Sequence, residues 1–508
     1  MRTWMAGLLL VALLAGCSGK PAPATTAPPP VAQASPAPGF QGLQANDTVS
    51  ALPAAFGGGF RVVSAATGLH GGEPNVGVTS GGTVWTTAVG QDAAADATGL
   101  GGYGAAIKST DGGKTWTESA DPTHAPLTLD PMLWVDRQTD RVFSNHLNAA
   151  CSWLSYSDDD GATWTPSPAA CGLPAADHQK LASGPYAAGS PFAAAANPLY
   201  PNVVTFCYNK IGGTFCAVSF DGGLHFVLDT LVDAAPVSGA VATDRSCGGI
   251  NGHQKFGADG TLYLPYGLRC GQAFVATSTD SGATWTPHRL GAPQLETDPA
   301  VTVTPDGTAY YMGRGDDQAM YLYRSRDRFA THEGPFRITP PDVNGTVFAA
   351  LTSGSDGRIA FAYLGHKGDL AHPAPPHSTD QGGSRTRWHL FVGMSLDAEA
   401  PEPFFLIHQA TSDDDPVQVG CVLTTGEPTD PNDPLSPPRC GQGNLFDFID
   451  MATDRDGRFW VSYTDGCTSK SCALPGALPV DSRDSLVTVA RLEEGPSLYA
   501  EKGRLGPT

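Results

Sequence analysis

Basic residues are scarce in this chain of 508 residues, which has 30 Lys and Arg against 50 Asp and Glu and a formal net charge of −20. Nucleic-acid binding needs a basic surface that neutralises phosphates, so this balance argues against a nucleic-acid partner. Charged residues make up only 16%, and no GxSxG, HExxH or phosphate-loop motif occurs. Serine-hydrolase, zinc-protease and nucleotide-binding interpretations therefore have no motif support.

Long apolar runs are also absent, except near the start, where residues 8–14 follow Arg2. This run is too short to span a bilayer and indicates a secretory signal. It closes on LAGC, residues 14–17, which resembles the bacterial lipobox. That resemblance implies cleavage before Cys17, lipidation of its thiol and amine, and anchorage in a membrane by more than one acyl chain. The alternative is an ordinary signal in which Cys17 is incidental.

The rest of the chain divides into a tether and a folded part. Residues 18–39 are rich in Pro, Ala and Thr and too poor in large apolar side chains to pack. We therefore expect an exported monomer, lipid-anchored at the bacterial cell surface or in the periplasm. Its expected segments are a signal peptide at 1–16, a lipidated Cys and tether at 17–48, and a folded domain at 49–500 with inserted loops near 366–385 and 410–445.

Ten cysteines remain after Cys17, and they fall in close neighbours along the chain. An exported protein meets an oxidising compartment, so local disulfides are favoured over a metal cluster, for which no CxxC pair is present. Adjacent pairing is the working hypothesis, because sequence alone does not fix connectivity. The predicted pairs are Cys151 with Cys171, Cys207 with Cys216, Cys247 with Cys270, Cys421 with Cys440, and Cys467 with Cys472.

Turn-forming residues are abundant, with 61 Gly and 43 Pro, which suits short strands joined by turns. One octet recurs as STDGGKTW (109–116), SDDDGATW (157–164), SFDGGLHF (219–226) and STDSGATW (278–285). Its Asp can accept hydrogen bonds from backbone amides, its Gly permits a positive φ, and its aromatic residue can be buried. Each octet follows a strand-like run and is predicted to form a hairpin turn.

A second repeat interleaves with the octets and consists of two short apolar strands around a turn that closes on Gly or Asp. Its units begin near residues 73, 130, 177, 251, 298, 346 and 448. An octet follows in the first four units, is degenerate in the fifth (SRDRF, 325–329), and is absent from the last two. Two hairpins per unit give four strands, and seven units predict an all-β, seven-bladed β-propeller.

The octets resemble the Asp-box (BNR) repeats of sialidases and of other Asp-box propellers, over residues 60–495. The resemblance implies that these turns join the third and fourth strands of a blade, at the rim away from the ligand-binding mouth. Asp111, Asp159, Asp221 and Asp280 are therefore interpreted as scaffold. Because sialidases have six blades, a six-bladed propeller is the alternative.

Sialidases clamp the carboxylate of the sugar with three arginines, and here the resemblance is incomplete. EPN (73–75) stands where the first arginine of an FRIP-like motif would lie, and neither FRVV (60–63) nor FRIT (336–339) is in register. The planar fork of arginine matches a carboxylate in a way that lysine does not. True exo-sialidase activity is therefore disfavoured.

A ligand site is expected at the axial mouth, where the innermost strands of a propeller begin. Alignment of the seven first strands on their turn glycines gives two columns of residues that share a face. The first column is Glu73, Asp130, Ala176, Asn251, Asp298, Phe348 and Phe448, and the second is Asn75, Met132, His178, His253, Ala300, Ala350 and Asp450. The candidate catalytic residues are the carboxylates Glu73, Asp130, Asp298 and Asp450.

Two copies of His-Gln-Lys, at 178–180 and 253–255, add basic groups to this mouth. Alternation along a strand places each His and Lys on one face and the Gln on the other. These side chains could bind a carboxylate or sulfate, or they could form salt bridges with the neighbouring acids. The candidate substrate-binding residues are His178, Lys180, Asn251, His253 and Lys255.

No cofactor is required by these motifs, and the metal-site candidates are weak. His366, His372 and His377 are predicted to lie with two Asp residues in a polar loop, and the acidic loop at 411–416 could bind calcium through oxygen ligands. An ordinary solvated loop is the simpler interpretation of both.

Three functions remain open from the sequence. The chain could be a glycoside hydrolase, sialidase-like, or a polysaccharide lyase that acts at the mouth; a non-catalytic propeller that binds a glycan or a surface protein; or an assembly factor, as some Asp-box propellers are. We favour glycan binding, with hydrolysis as the open question.

Overall fold

Seven sheets of short strands make up the computed structural model, and each sheet is one blade of a β-propeller. The structure describes residues 42–44, 59–90, 103–119, 130–148, 151–171, 177–193, 199–210, 213–232, 251–266, 272–293, 298–367, 386–420, 422, 445, 448–468 and 485–505, all within the unit Pro38–Thr508. The predicted all-β class and the seven blades are confirmed.

The blades follow one another in chain order, and the first strand of each lies innermost. The strands of the first half are β1 (Gly42–Gln44), β2 (Arg61–His70), β3 (Gly72–Val78), β4 (Val84–Gly90), β5 (Tyr103–Ser109), β6 (Thr117–Glu118), β7 (Pro131–Val135), β8 (Val142–Asn148), β9 (Cys151–Ser157), β10 (Thr165–Cys171), β11 (Asp177–Gly184), β12 (Val203–Lys210), β13 (Gly213–Ser219) and β14 (Leu228–Leu231). Blade 1 is β3 to β6, blade 2 is β7 to β10, and blade 3 is β11 to β14.

The second half continues the pattern. Its strands are β15 (Lys255–Phe256), β16 (Leu262–Tyr266), β17 (Gln272–Ser278), β18 (Thr286–Pro293), β19 (Ala300–Val303), β20 (Ala309–Arg314), β21 (Met320–Ser325), β22 (Glu333–Arg337), β23 (Gly345–Ser353), β24 (Ile359–His366), β25 (Arg387–Ser395), β26 (Phe405–Gln409), β27 (Gln418–Val419), β28 (Asp450–Thr453), β29 (Phe459–Asp465), β30 (Leu486–Pro496) and β31 (Arg504–Leu505), with a 3₁₀ helix at Ala500–Lys502. Blade 4 is β15 to β18, blade 5 is β19 to β22, and blade 6 is β23 to β26.

The ring closes through blade 7, whose strands come from both ends of the chain. Its strand order is β2-β30-β29-β28, so the strand nearest the N-terminus is the outermost one. Thr67 Oγ1 donates to the Val487 carbonyl at 2.8 Å, and Gly71 N donates to the Ser485 carbonyl at 3.1 Å. The third and fourth strands of blade 7 are therefore not consecutive in the chain, which explains why no octet joins them.

The octets form closely similar turns between the third and fourth strands of their blades. In blade 1, Ser109 Oγ donates to Asp111 Oδ1 at 2.8 Å, and Asp111 Oδ1 accepts from Thr115 N at 2.9 Å. Gly113 N donates back to Ser109 Oγ at 2.8 Å. Hydrogen bonds from Thr115 and Ser109 hold the pKa of Asp111 well below its usual range. The Asp carboxylate thus accepts hydrogen bonds from backbone N–H groups of the turn.

Blades 5 and 6 retain more of this turn than the sequence indicates. Asp327 accepts from Ser325 Oγ and Thr331 N, both at 2.9 Å, although Phe329 occupies a glycine position with φ of 65°. In blade 6, Ser395 Oγ donates to Asp397 Oδ1 at 3.0 Å. The prediction that the turn is absent from unit 6 is wrong, because the Ser–Asp hydrogen bond survives without the glycine and the tryptophan.

Octet aromatics connect neighbouring blades. Trp164 of blade 2 meets Trp85 of blade 1 edge to face at 5.9 Å between ring centroids, and its Nε1 donates to Ser119 Oγ at 3.0 Å. Trp116 of blade 1 packs in the same way into a cluster that contains Trp460 of blade 7. Each tryptophan therefore buries apolar surface of the preceding blade, and the turns act as scaffold. We call the face of the ring that carries these turns the octet face.

The predicted disulfide between Cys207 and Cys216 is confirmed. Cys207 and Cys216 are directly opposite on β12 and β13 and are bonded at 2.04 Å. Cys151 and Cys171 are also paired in backbone register, on β9 and β10. Cys467 is disulfide-bonded. The remaining predicted cysteines, Cys247, Cys270, Cys421, Cys440 and Cys472, lie outside the described residues, as do Cys17, the signal and the tether.

Helix is almost absent from the described residues. None of the helical structure there has the length and apolar character needed to cross a membrane.

Candidate functional site along the propeller axis

The hydrogen-bond register of the first strands fixes which residues face each other across the axis. In blades 1, 4 and 5, the turn that ends the first strand begins at Thr79, Gly257 and Thr304, whose N–H groups donate to carbonyls four residues on at 2.8–3.0 Å. Counting back from these turns confirms the two predicted columns for these blades. Asn251 and Asp298 thus stand level with Glu73.

Blade 3 is the exception to the predicted columns. Asn75 pairs with Thr87, and the corresponding position of blade 3 is Lys180, which pairs with Cys207. His178 therefore stands level with Glu73, two residues from its predicted place. The alignment was wrong because the long segment 185–202 replaces the tight first turn in this blade, so no turn glycine marks the register.

Three of the first strands begin with an unusual backbone conformation at the same level. Glu73, His178 and Phe348 have φ values of 54°, 48° and 64°, and the strand register shifts at each of them. A left-handed conformation costs a residue with a Cβ roughly 1–2 kcal/mol. An extra residue in a strand re-aims a side chain, and such features are enriched beside functional sites.

His178, Lys180 and Asp298 form what we call the upper axial cluster. Asp298 Oδ2 lies 3.4 Å from His178 Nδ1, and Asp298 Oδ1 lies 3.6 Å from Lys180 Nζ. Lys180 Nζ also lies 3.6 Å from the ring centroid of Phe448. Burial raises the pKa of Asp298, but Lys180 and His178 outweigh burial and hold this pKa below its ordinary value. Asp298 is therefore an ionised carboxylate at neutral pH.

His253, Lys255 and Asp450 form the lower axial cluster. Asp450 Oδ2 accepts from Val76 N at 3.1 Å, and its Oδ1 lies 4.0 Å from His253 Nδ1. Burial raises the pKa of Asp450, although Lys255 and two backbone N–H groups oppose the shift. Burial and the charges of Lys180 and Lys255 lower the pKa of His253 well below its ordinary value, so this imidazole is neutral at pH 7.

Glu73, Asp130 and Asn251 complete the upper end of the axis. Asp130 Oδ2 accepts from His178 N at 3.3 Å, and Glu73 is buried. Asn251 is fully buried, and neither atom of its side-chain amide has a hydrogen-bond partner among the described residues. The same holds for Nε2 of His253, which leaves donors and acceptors directed at the axis.

The glutamines of the two His-Gln-Lys copies serve the scaffold. Gln254 Nε2 donates to the Lys180 carbonyl at 2.9 Å and to the Thr205 carbonyl at 3.2 Å, and Gln179 Nε2 donates to the Asp130 carbonyl. Each glutamine therefore ties its blade to the preceding one. As the alternation predicted, these side chains point away from the axial ions.

The two arginines of the FRIP-like segments lie away from the axial clusters. Arg61 and Arg337, the two arginines of the FRIP-like segments, lie on the outermost strands β2 and β22. They contact Glu493 at 3.8 Å and Asp317 at 3.7 Å, respectively. The axial cations are the lysines Lys180 and Lys255.

The opposite end of the axis, on the octet face, contains a cavity of about 320 Å³. The ends of all seven first strands line it, and Trp134, Phe256 and the Lys255 side chain form part of its wall. Sequence reasoning missed this cavity because it considered only the end at which the first strands begin.

The predicted metal sites gain no support in the described part of the chain. His366 ends strand β24 rather than lying in a polar surface loop; it is buried against Trp388 at 4.7 Å between ring centroids. Burial lowers its pKa to about 4. His372 and His377 lie outside the described residues. No group of three or more His, Cys, Asp or Glu among the described residues is placed to bind a metal.

Comparison with protein-family models gives no match, and neither does comparison with curated proteins. Among solved structures, a protein of unknown function from Dyadobacter fermentans is similar, at 14% identity and a TM-score of 0.41, with 85% of this chain and 99% of that chain covered. An intramolecular trans-sialidase from Ruminococcus gnavus is similar at 14% identity and a TM-score of 0.37, covering 85% and 95%. A polysaccharide lyase that acts on ulvan is similar at 12% identity and a TM-score of 0.37, with 57% of this chain and 76% of that chain covered. At these identities and TM-scores the neighbours assign no function to this chain.

Proposed function

We propose that this chain is an Asp-box propeller lipoprotein of the bacterial surface that binds glycans at the upper end of its axis. The observation that carries the proposal is the convergence of Asp298, Lys180, Asn251 and His253 on the axis with unused hydrogen-bonding capacity. Their side-chain atoms Asp298 Oδ1 and Oδ2, Lys180 Nζ, Asn251 Nδ2 and Oδ1, and His253 Nε2 have no hydrogen bond to the described residues.

Sugars suit such a site because every hydroxyl group can both donate and accept a hydrogen bond. Buried polar atoms are normally paired in proteins, so a group of them around one opening calls for water or a polar ligand. Lys180 adds an ammonium group that can donate to a hydroxyl or to an acidic group of a glycan. Phe448, against which both Lys180 and His253 pack, supplies an apolar surface.

The two axial carboxyl groups also have the properties of an acid–base pair. Asp298 has a lowered pKa and Asp450 a raised one. Opposite shifts of this kind are in the direction that a base or nucleophile and a proton donor need. We therefore include hydrolysis of the bound glycan in the proposal, with Asp450 as general acid and Asp298 as the ionised partner. Exo-sialidase activity is not included, because both FRIP-like arginines, Arg61 and Arg337, lie on outermost strands and not at the mouth.

The test is a panel of labelled glycans presented to the folded unit Pro38–Thr508, scored separately for retention and for cleavage. Asn251→Ala removes two hydrogen-bonding atoms without changing charge, and we expect it to weaken retention about tenfold. If the wild-type protein cleaves a glycan, Asp450→Asn should abolish cleavage while retention persists, and Asp298→Asn should abolish cleavage and also weaken retention, because Asp298 is one of the binding groups. Asp130→Asn extends the same test to the predicted carboxylate at the rim.

Arg61→Ala and Arg337→Ala are the matched controls, because both residues belong to FRIP-like segments but lie far out on β2 and β22. Neither change should alter retention. If no glycan of the panel is retained by the wild-type protein, the proposal is wrong and a protein-binding or assembly function takes its place. Retention without cleavage would remove the catalytic part alone.

A further inference from the structure

Lys255 has an unusual position between the two ends of the axis. It belongs to the lower axial cluster and also lines the cavity on the octet face. Its Nζ lies 4.8 Å from the ring centroid of Trp134. No carboxylate lies within 4.0 Å of this ammonium group, and no acceptor within hydrogen-bonding distance, among the described residues. An ammonium group in such surroundings is costly unless an anion accompanies it.

The charged groups around Lys255 do not supply that anion on the cavity side. Asp450 acts on Lys255 only from the axial side and at longer range. Asp136 is a cavity-wall residue, but its carboxylate is engaged by Asn202 Nδ2 at 2.8 Å, Gln138 N at 2.9 Å and the Tyr200 hydroxyl. Arg137, at the rim, donates to Tyr499 Oη at 2.6 Å. Tyr499 orders the Arg137 guanidinium but does not neutralise it, so the cavity has the Lys255 ammonium in its wall and a second cation at its rim.

The rest of the wall is apolar or already satisfied. Thr302 Oγ1 donates to Ser353 Oγ at 2.9 Å, and the hydroxyls of Thr352 and Thr453 are bonded to each other at 2.8 Å. Phe256 contributes a half-buried aromatic surface. Such walls suit a compact organic molecule with one anionic group better than phosphate or sulfate, which need several donors converging on one point, because Arg137 is held at the rim by Tyr499.

We propose that this cavity is a second ligand site, separate from the axial mouth, that binds a small organic carboxylate. The carboxylate contacts the Lys255 ammonium, and the organic part of the ligand lies against Trp134 and Phe256. A volume of about 320 Å³ is at the lower end of ligand pockets, which limits the ligand to the size of a single ring or sugar acid.

Calorimetric titration of the full-length chain tests this, with benzoate, glucuronate and lactate as probes and benzamide as the neutral match for benzoate. We expect at least one of the acids to bind, and benzamide to bind at least about tenfold more weakly than benzoate where benzoate binds. Lys255→Met should weaken the acid about tenfold or more, and Lys255→Arg should restore most of the affinity because it keeps the charge.

Two further variants separate this site from the mouth and from loss of folding. Val303→Phe fills part of the cavity and leaves Lys255 in place, so it should abolish binding of the acid while the protein stays folded. Asn251→Ala, at the mouth, should leave binding unchanged. The proposal is overturned if none of the three acids binds at about 20 mM, if benzamide matches benzoate, or if Asn251→Ala rather than Val303→Phe removes binding.

Discussion

Neutralising Asp298 in the upper axial cluster should show how much its interaction with Lys180 contributes to the free energy of unfolding. Asp298→Asn keeps the shape of the side chain but leaves Lys180 without its counter-ion, and both side chains are almost fully buried. At 3.6 Å and an effective dielectric constant of about 20, the attraction between the two charges is about 5 kcal/mol. Measured costs of breaking a buried pair by removing one partner are about 3–5 kcal/mol. We expect a loss of about 4 kcal/mol.

Thermal unfolding at pH 7, followed by circular dichroism, measures this loss. For the unit Pro38–Thr508, an unfolding entropy of about 2.1 cal/mol/K per residue corresponds to about 1 kcal/mol/K for the whole unit. Asp298→Asn should therefore lower the Tm by about 4 °C. The double variant Lys180→Met with Asp298→Asn removes both charges, and its Tm should return to within about 1–2 °C of the wild type.

The exposed pair Lys367–Asp342 is the control, because its atoms lie 2.9 Å apart but its side chains are about a third and a half exposed. Asp342→Asn should change the Tm by less than about 1 °C. Additive effects of Lys180→Met and Asp298→Asn would refute the reasoning. They would mean that the two charges are not paired.

Two further predictions concern the fold. His366 has a pKa of about 4 in the folded protein and about 6.5 in the unfolded protein. The unfolded state therefore binds more protons below pH 6.5, and the free energy of unfolding decreases as the pH is lowered. Lowering the pH from 8 to 5 should cost about 2 kcal/mol through this residue. His366→Gln should reduce the pH dependence of the denaturant midpoint by that amount, and an unchanged pH profile would contradict the assignment. Deletion of residues 1–70 removes β1 and β2 and leaves the edges of β26 and β30 unpaired, so we expect oligomers by size-exclusion chromatography. Deletion of residues 1–40 keeps both strands and should leave a monomer.

The sequence predicts the repeat architecture well because each blade repeats a local pattern. Octets and turn glycines mark the hairpins of most blades, and hairpins depend on residues close together in the chain. The turn does not need every residue of the octet. Ser325 and Asp327 keep its hydrogen bonds although Phe329 replaces the glycine. A pattern that requires Gly and Trp therefore undercounts the turns.

The long-range features are harder to predict. Nothing in the sequence of residues 61–70 says that they complete the sheet whose other strands lie near the C-terminus, because the pairing spans almost the whole chain. The register of blade 3 is hidden for a related reason, since an insertion removes the turn that would mark it. His178 was misplaced by two residues on this account, although its neighbour Lys180 was identified as an axial residue.

The axial ions explain how an acidic chain keeps a crowded axis stable. Going from the mouth toward the octet face, the register places Asp298 and His178 first, then Lys180, His253 and Asp450, and finally Lys255. Asp298 is thus followed by a cation, Lys180, and these two charges offset one another beside the carboxyl groups of Glu73 and Asp130 at the mouth. The exception is the last cation, Lys255, whose nearest carboxylate, Asp450, acts from one side only. The series ends in a positive charge at a cavity, and this is where we propose that an organic anion binds.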